Sequence, residues 1–242
     1  MKAKTFLFLS LSLLCLVPML LGQDDGAAAA PAATESRSAA AEFFAQAGMI
    51  GVVIILLSVV ALTLIAKEIM AIRKDQLAPP EVIDEIEALF EAGEFQEAIE
   101  LCETEPCYFT NVVAAGLPKL NASFEAMEKS LEEMIEEETV RLHARLSWLS
   151  FIAGIAPMLG LMGTVNGMIG AFRVIAESKG AATPDQMADN ISSALITTLL
   201  GLIVAVPVTG AFVFLRNRVV AYSLEIAAVI EDLFERFRPR TA

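Results

Sequence analysis

The fold class that the sequence predicts is an all-α membrane protein, with three transmembrane helices and long helical extensions outside the bilayer. Three observations predict it. Hydrophobic residues make up 56% of the 242, charged residues only 19%, and the mean hydropathy is +0.62. A water-soluble domain with that excess would expose apolar patches large enough to aggregate, so most of this surface must face lipid. The charges fall in blocks, leaving 5–23, 43–66, 146–172 and 190–215 without Asp, Glu, Lys or Arg. A bilayer core about 30 Å thick takes roughly 20 helical residues to cross, and each of the last three stretches is long enough. Where charges do occur, apolar residues recur among them at helical spacing.

Residues 1–22 are read as a secretory signal peptide. Lys2 and Lys4 precede a Leu- and Phe-rich core that ends at Pro18 and Gly22, with Gly22/Gln23 as the cleavage point; an uncleaved anchor is the alternative. Leu14 before Cys15 does not suit a lipoprotein cleavage site. The Ala-, Pro- and Ser-rich stretch within 23–42 reads as a flexible extracytoplasmic segment. Spans follow at 43–66, 149–172 and 190–215. Lys67, Arg73 and Lys74 follow the first span, Arg141 and Arg145 precede the second, and Arg216 and Arg218 follow the third. The excess of positive charge on cytoplasmic loops then places 67–148 and the 216–242 helix in the cytoplasm, and the short 173–189 loop outside.

Block 67–148 holds 19 acidic and 7 basic residues and so nearly all of the net charge of −13. After Pro79-Pro80, Val82, Ile83, Ile86, Leu89 and Phe90 form one helical face; Gly93 permits a turn, and Phe95, Ala98, Ile99 and Cys102 form another. The pattern predicts a helical hairpin closed near Pro106. A run from Ser123 through Glu138 carries Met127, Leu131, Met134 and Ile135 on one face, and no Pro or Gly separates it from the second span. One continuous helix from about Phe124 into the membrane is therefore expected. Its carboxylates read as a solvated face.

Charge and composition also exclude function classes. A net charge of −13 does not suit a phosphate backbone, so no nucleic-acid partner is expected. His143 stands alone at the predicted membrane edge, where interfacial packing is the reading; Cys102 and Cys107 have no second pair nearby, so neither metal nor cofactor is expected. The chain carries no Walker-type glycine loop and no triad signature, which disfavours an ATP-driven pump and an intramembrane enzyme.

The chemistry that remains lies in the second and third spans. Gly160, Gly163, Gly167 and Gly170 recur at intervals of three, four and three, so with Thr164 and Ala171 they fall on one stripe, with Asn166 just off it. Ser193, Ala194, Thr197, Thr198, Gly201 and Ala205 share a face of the third span, opposite Leu195, Ile196, Leu199, Leu200, Ile203 and Val206. Small residues on one stripe let helices approach closely. Pro157 and Pro207 each free a backbone carbonyl that a polar group or water must satisfy. Two readings stay open: the hydroxyls only bridge helices, or they line a narrow wet passage for protons or ions. No mature span holds an ionisable residue, so a proton relay would need a carboxylate from another polypeptide.

The segment APMLGLMGTVNGMIGAF, followed after a short loop by MADNISSALITTLLGLIVAVPV, resembles the paired signature of the ExbB/TolQ/MotA proton-channel proteins. The span order, the acidic helical insert and the orientation fit too, so the resemblance covers roughly residues 43–238. Three mature spans favour the ExbB/TolQ branch over the MotA branch, whose members usually have four. The resemblance implies a ring-forming homo-oligomer, a pentamer, around a single-span partner of the ExbD/TolR type whose membrane aspartate carries the proton. It implies an inner-membrane motor that turns proton motive force into envelope work, such as energising a TonB-like protein. By position, Thr164 and Thr198 match the threonines that face the partner's aspartate. One departure stands out: many family sequences have a glutamate in a pattern like ISEAL, where this chain has Ser193. A permease-like subunit served by a separate ATPase and a structural scaffold are the competing classes. Asp189, at the outer mouth of the third span, is a weaker candidate for the pathway, since it reads equally well as an ordinary helix cap.

Overall fold

The computed structural model describes residues 48–120, 123–178 and 183–237. The expected signal peptide, the 23–42 segment and the first residues of the expected span 43–66 lie outside the described residues. All regular elements described are helical: α1 (Gly48–Ala71), α2 (Lys74–Leu77), α3 (Pro80–Ala92), α4 (Phe95–Thr104), α5 (Tyr108–Gly116), a 3-10 turn (Leu117–Lys119), α6 (Phe124–Glu177) and α7 (Pro184–Glu235). Three of them, α1, α6 and α7, are long and apolar enough to cross a membrane. The chain divides into two compact units, one formed by 1–62 with 151–209 and the other by 63–150 with 210–242.

In the first unit, segments of α6 and α7 meet along small residues, while Leu200 of α7 packs on Ile54 of α1 with Ile50, Leu159, Ile196 and Val204 around them. Ile54 is fully buried. Leu200 and Ile196 belong to the bulky face of the third span, so part of that face meets α1. Leu195, Leu199 and Val206 of that face are exposed, as are Leu161, Met162 and Ile169 of α6. Exposed apolar side chains at this density are what lipid, and not water, accommodates.

The second unit is built on a hairpin. Pro79 is extended and Pro80 opens α3, where its missing N–H has no helical partner to lose. Gly93 ends the helix with φ 77°, a left-handed conformation that favours glycine; its N–H reaches the Phe90 carbonyl at 3.3 Å and the Glu94 N–H reaches Leu89 at 3.0 Å. Val82, Ile86 and Phe90 of α3 and Ala98 and Cys102 of α4 are buried, so the predicted hairpin forms with its predicted faces. Rings close the core: Phe90 stands edge-on to Phe234 at 5.3 Å and to Phe95 and Phe237 at 5.7 Å between centroids.

Periodicity does not predict α5. At nine residues it is too short to show a repeat, and its start signal is unusual. The Cys107 sulfur caps the Thr110 N–H at 3.5 Å, and the Thr110 hydroxyl accepts from the Cys107 N–H at 2.7 Å, a capping box built on a thiol. Tyr108 then joins a buried hydroxyl cluster with Ser223 (2.7 Å) and Thr139 (3.0 Å).

The long helix expected from Phe124 runs unbroken to Glu177, with Pro157 inside it. Likewise α7 continues from Pro184 to Glu235 through Pro207. The 173–189 stretch is therefore shorter as a loop than its charges suggest. Arg173 to Glu177 finish α6, and Pro184 to Asp189 begin α7. Asp189 lies inside the first turns of α7, which removes its reading as a helix cap.

Candidate functional site

The glycine stripe of α6 sits against the small face of α7, and the fit is close enough to require hydrogen in place of a side chain. A Cβ on Gly160 would lie 3.0 Å from Thr198 Cα, one on Gly167 2.5 Å from Ala194 Cβ, and one on Gly201 2.6 Å from the Ala156 carbonyl oxygen. Gly163 touches the Thr197 side chain, and a Cβ on Gly170 would lie 3.0 Å from Asn190 Oδ1. Each approach gains dispersion and backbone contact that a larger residue would block. The four glycines, Ala194, Thr197, Thr198 and Gly201 are thus brought together as one helix-helix seam. Asn190 extends that seam by one turn. Its place one turn before Ala194 was the available signal, but the face read from the sequence starts at Ser193.

The hydroxyls divide by what they bond. Thr198 Oγ1 donates across the seam to the Gly160 carbonyl at 2.9 Å. Thr197 is buried, and its Oγ1 donates to Ser193 of its own helix at 2.8 Å. Thr164, half-buried on α6, donates to Leu161 at 2.7 Å. Ser193 is half-buried and Asn166 is exposed off the seam. Pro157 and Pro207 are half-buried, and each lacks the N–H that would have served the carbonyl four residues earlier, Ala153 and Ile203. The structure therefore gathers Thr197 and Thr198 in the seam with Ser193 one turn from Thr197, leaves Thr164 half-buried with its bond inside α6, and leaves Asn166 exposed.

No Asp, Glu, Lys, Arg or His occurs in 149–172 or 190–215. Among the described residues no group of three or more His, Cys, Asp or Glu is placed to hold a metal. The chemistry this seam can offer is hydroxyl and carbonyl dipoles in an apolar setting: groups that accept, donate and orient, without a proton of their own to release near neutral pH.

Two buried groups in the other unit are not legible from the sequence. Glu68, one of the acidic block, is 3% exposed on α1, and its Oε2 has no hydrogen-bond partner among the described residues; His143 Nε2 is also buried without one. Glu68 lies beyond the predicted end of the first span, and nothing in local composition separates it from its solvated neighbours. Burial in this unit pushes the Cys102 thiol up to about 11, with Cys107 beside it adding to the effect.

Both halves of the seam lie in the region that comparisons with known proteins match. Residues 106–228 fit the MotA/TolQ/ExbB proton channel family. Among relatives, the chain is 40% identical over 90 residues to the Vibrio cholerae protein named Biopolymer transport protein exbB1, covering 35% of this chain and 40% of the relative. It is 31% identical over 122 residues to Biopolymer transport protein ExbB of Xanthomonas campestris, covering 49% and 48%. It is 32% identical over 113 residues to the Tol-Pal system protein TolQ of Haemophilus influenzae, covering 47% of each. The chain spans less than half the length of each of these relatives. The family match reaches across more than half of this chain, takes in α5 and both helices of the seam, and identifies a membrane protein: the chain belongs to the MotA/TolQ/ExbB proton channel family.

Proposed function

We propose that this protein is the channel-wall subunit of an inner-membrane motor of the ExbB-ExbD or TolQ-TolR type, in which proton motive force drives work at the cell envelope. The observation that carries the reading is the α6/α7 seam. Two segments free of ionisable residues are locked together by glycines, the hydroxyls of Thr197 and Thr198 lie on the contact, and Thr164 is half-buried next to Gly163 with its hydroxyl bonded within α6. A wall of this kind can orient water and a proton but needs a titrating group from elsewhere. In the proposal a single-span ExbD/TolR-like partner supplies it as a membrane aspartate, inside a homopentamer of this chain. Ser193 takes the place of the family's glutamate, so the partner's carboxylate is the only titrating group that the pathway uses. The coupled work in the ExbB branch would be energising a TonB-like protein. The basic residues flanking the spans support an orientation with 67–148 and 216–242 in the cytoplasm.

Thr164 and Thr198 test the reading differently. Thr198→Val removes a bond between helices as well as a hydroxyl, a loss of about 0.6 kcal/mol in membrane helices. Thr164→Val removes a hydroxyl whose bond stays within its own helix. The expected result is that both variants assemble with the partner and lose motive-force-dependent activity. Full activity in both would overturn the site assignment. Native mass spectrometry of the tagged complex in mild detergent tests the class: a ring with a small single-span protein supports the motor. An ATPase in its place would make the chain a permease-like subunit, and a homo-oligomer alone would make it a scaffold.

A further inference from the structure

Two polar atoms of the second unit are buried without a bond. Glu68 sits on the packed face of α1, four residues before fully buried Ile72 and seven after buried Ala61, and its Oε2 has no hydrogen-bond partner among the described residues. His143 is half-buried on α6 between buried Leu142 and Leu146, and its Nε2 has none either. A carboxylate oxygen or an imidazole nitrogen out of water and unpaired is costly, so two of them in one unit require a physical account.

Contacts along the helices put both residues at one height. Ile54 of α1 meets Leu200 of α7, and Lys74, just past α1, pairs with Glu225, so α1 and α7 run in the same direction. Within the second unit Thr139 of α6 bonds Ser223 at 2.7 Å, and a Cβ on Gly116 would meet both Leu131 and Phe234, so α6 runs against α7. At roughly 1.5 Å per residue, Glu68 lies about 9 Å before Lys74 and His143 about 6 Å after Thr139. Counted back along α7 from Glu225 and from Ser223, both rises end at Val219, which is fully buried. His143 follows Thr139 by one turn and so shares the face that meets α7.

The charged groups around this layer are engaged elsewhere. Lys67, Arg73, Arg145 and Arg216 are exposed, Lys74 pairs with Glu225, and Arg141 pairs with Glu137 and Glu138. Arg218 donates to the Tyr222 hydroxyl at 3.0 Å, and buried Glu138 also accepts from Asn111 at 2.9 Å. Glu68 and His143 are left to answer each other. A carboxylate only accepts and an imidazole can donate, so each supplies what the other lacks, directly after a side-chain rotation or through one water.

We propose that Glu68 and His143 share one proton in this layer and form the cytoplasmic station of the channel. The proposal rests on the proton-channel reading above: the crossing of the spans titrates only at the partner's carboxylate, and the station takes the proton up where the spans end. The step moves that proton between Nε2 and Oε2 and on to cytoplasmic water, and no other bond forms or breaks.

His143 is the chain's single histidine, so labelling histidine with nitrogen-15 leaves one imidazole to read by NMR in the full chain in detergent. At a fixed pH its Nε2 resonance should move in Glu68→Gln and stay in Glu136→Gln, an exposed carboxylate two turns before it on the same helix. An unmoved resonance in Glu68→Gln, or an equal movement in both, overturns the proposal. The second readout is proton flux through the native complex, isolated by a tag on this chain and reconstituted into vesicles. Glu68→Gln and His143→Gln should each lower the flux by about tenfold or more, and Glu68→Asp, which keeps the carboxylate, should restore part of it. Thr198→Val separates this proposal from the channel reading. If it stops the flux while Glu68→Gln and His143→Gln conduct fully, the station is overturned and the channel stands; if all three conduct fully, the channel reading falls and takes the station with it.

Discussion

Cys102 shows how far a residue's chemistry depends on where the fold puts it. In the sequence it is one of two thiols five positions apart; in the fold it is 3% exposed, and burial raises its pKa from 9.0 to about 11. At neutral pH it is a protonated, shielded thiol, so alkylation by iodoacetamide at about pH 7.5 should reach it only after unfolding. Linkage gives a second consequence. A folded-state pKa above the unfolded one means that stability is fully present below pH 9.0 and is lost as pH rises towards 11. Alkaline unfolding followed between those limits should flatten in Cys102→Ala, apart from a constant packing loss; an unchanged slope would mean that the thiol is not the group responsible. The threonines teach the same lesson on a smaller scale. Spacing places Thr197 and Thr198 on one face, but only the packed helices distinguish the hydroxyl that crosses to Gly160 from the one that stays on its own helix.

At the scale of elements, the glycines of the seam are not equivalent to other helical glycines. A Cβ at Gly201 would strike a backbone carbonyl at 2.6 Å, which cannot rotate away, whereas one at Gly154 meets nothing within 4 Å. Gly201→Ala should therefore cost about 1–3 kcal/mol through overpacking. Gly154→Ala should be neutral or slightly stabilising, because alanine has the higher helix propensity. Thermal unfolding of the two variants in the same detergent checks the contrast, and equal stabilities would contradict the packing described for α6 and α7. The hairpin, by comparison, was readable almost residue by residue. Its apolar faces, its opening prolines and the glycine at its turn are local signals, and local sterics decide them. The short α5 was not readable, since its cap is a cysteine and its buried face is defined by partners 27 or more residues away, including Thr139 and Ser223.

For the whole molecule, the decisive fact is an absence of charge. The 149–172 and 190–215 segments contain no titratable Asp, Glu, Lys, Arg or His, and a proton relay through lipid requires a titrating group. Purified chain reconstituted alone into vesicles with a pH-sensitive dye inside should conduct protons no faster than empty vesicles under an imposed potential. Rapid conduction by the chain alone would refute the partner-supplied carboxylate.

Hydrophobic stretches, charge blocks and periodicity, all local in the chain, were enough by themselves to determine three membrane-length helices, the acidic hairpin and the paired small-residue stripes. They determine these because a helix in lipid must satisfy its own backbone and show its apolar residues to the solvent it lies in. Only the tertiary structure decided which of those stripes touch, which hydroxyls the contact consumes, and that Glu68 is buried. Each of these depends on pairs of residues distant in the chain, and the free energy of such a pair exists only once both are packed together.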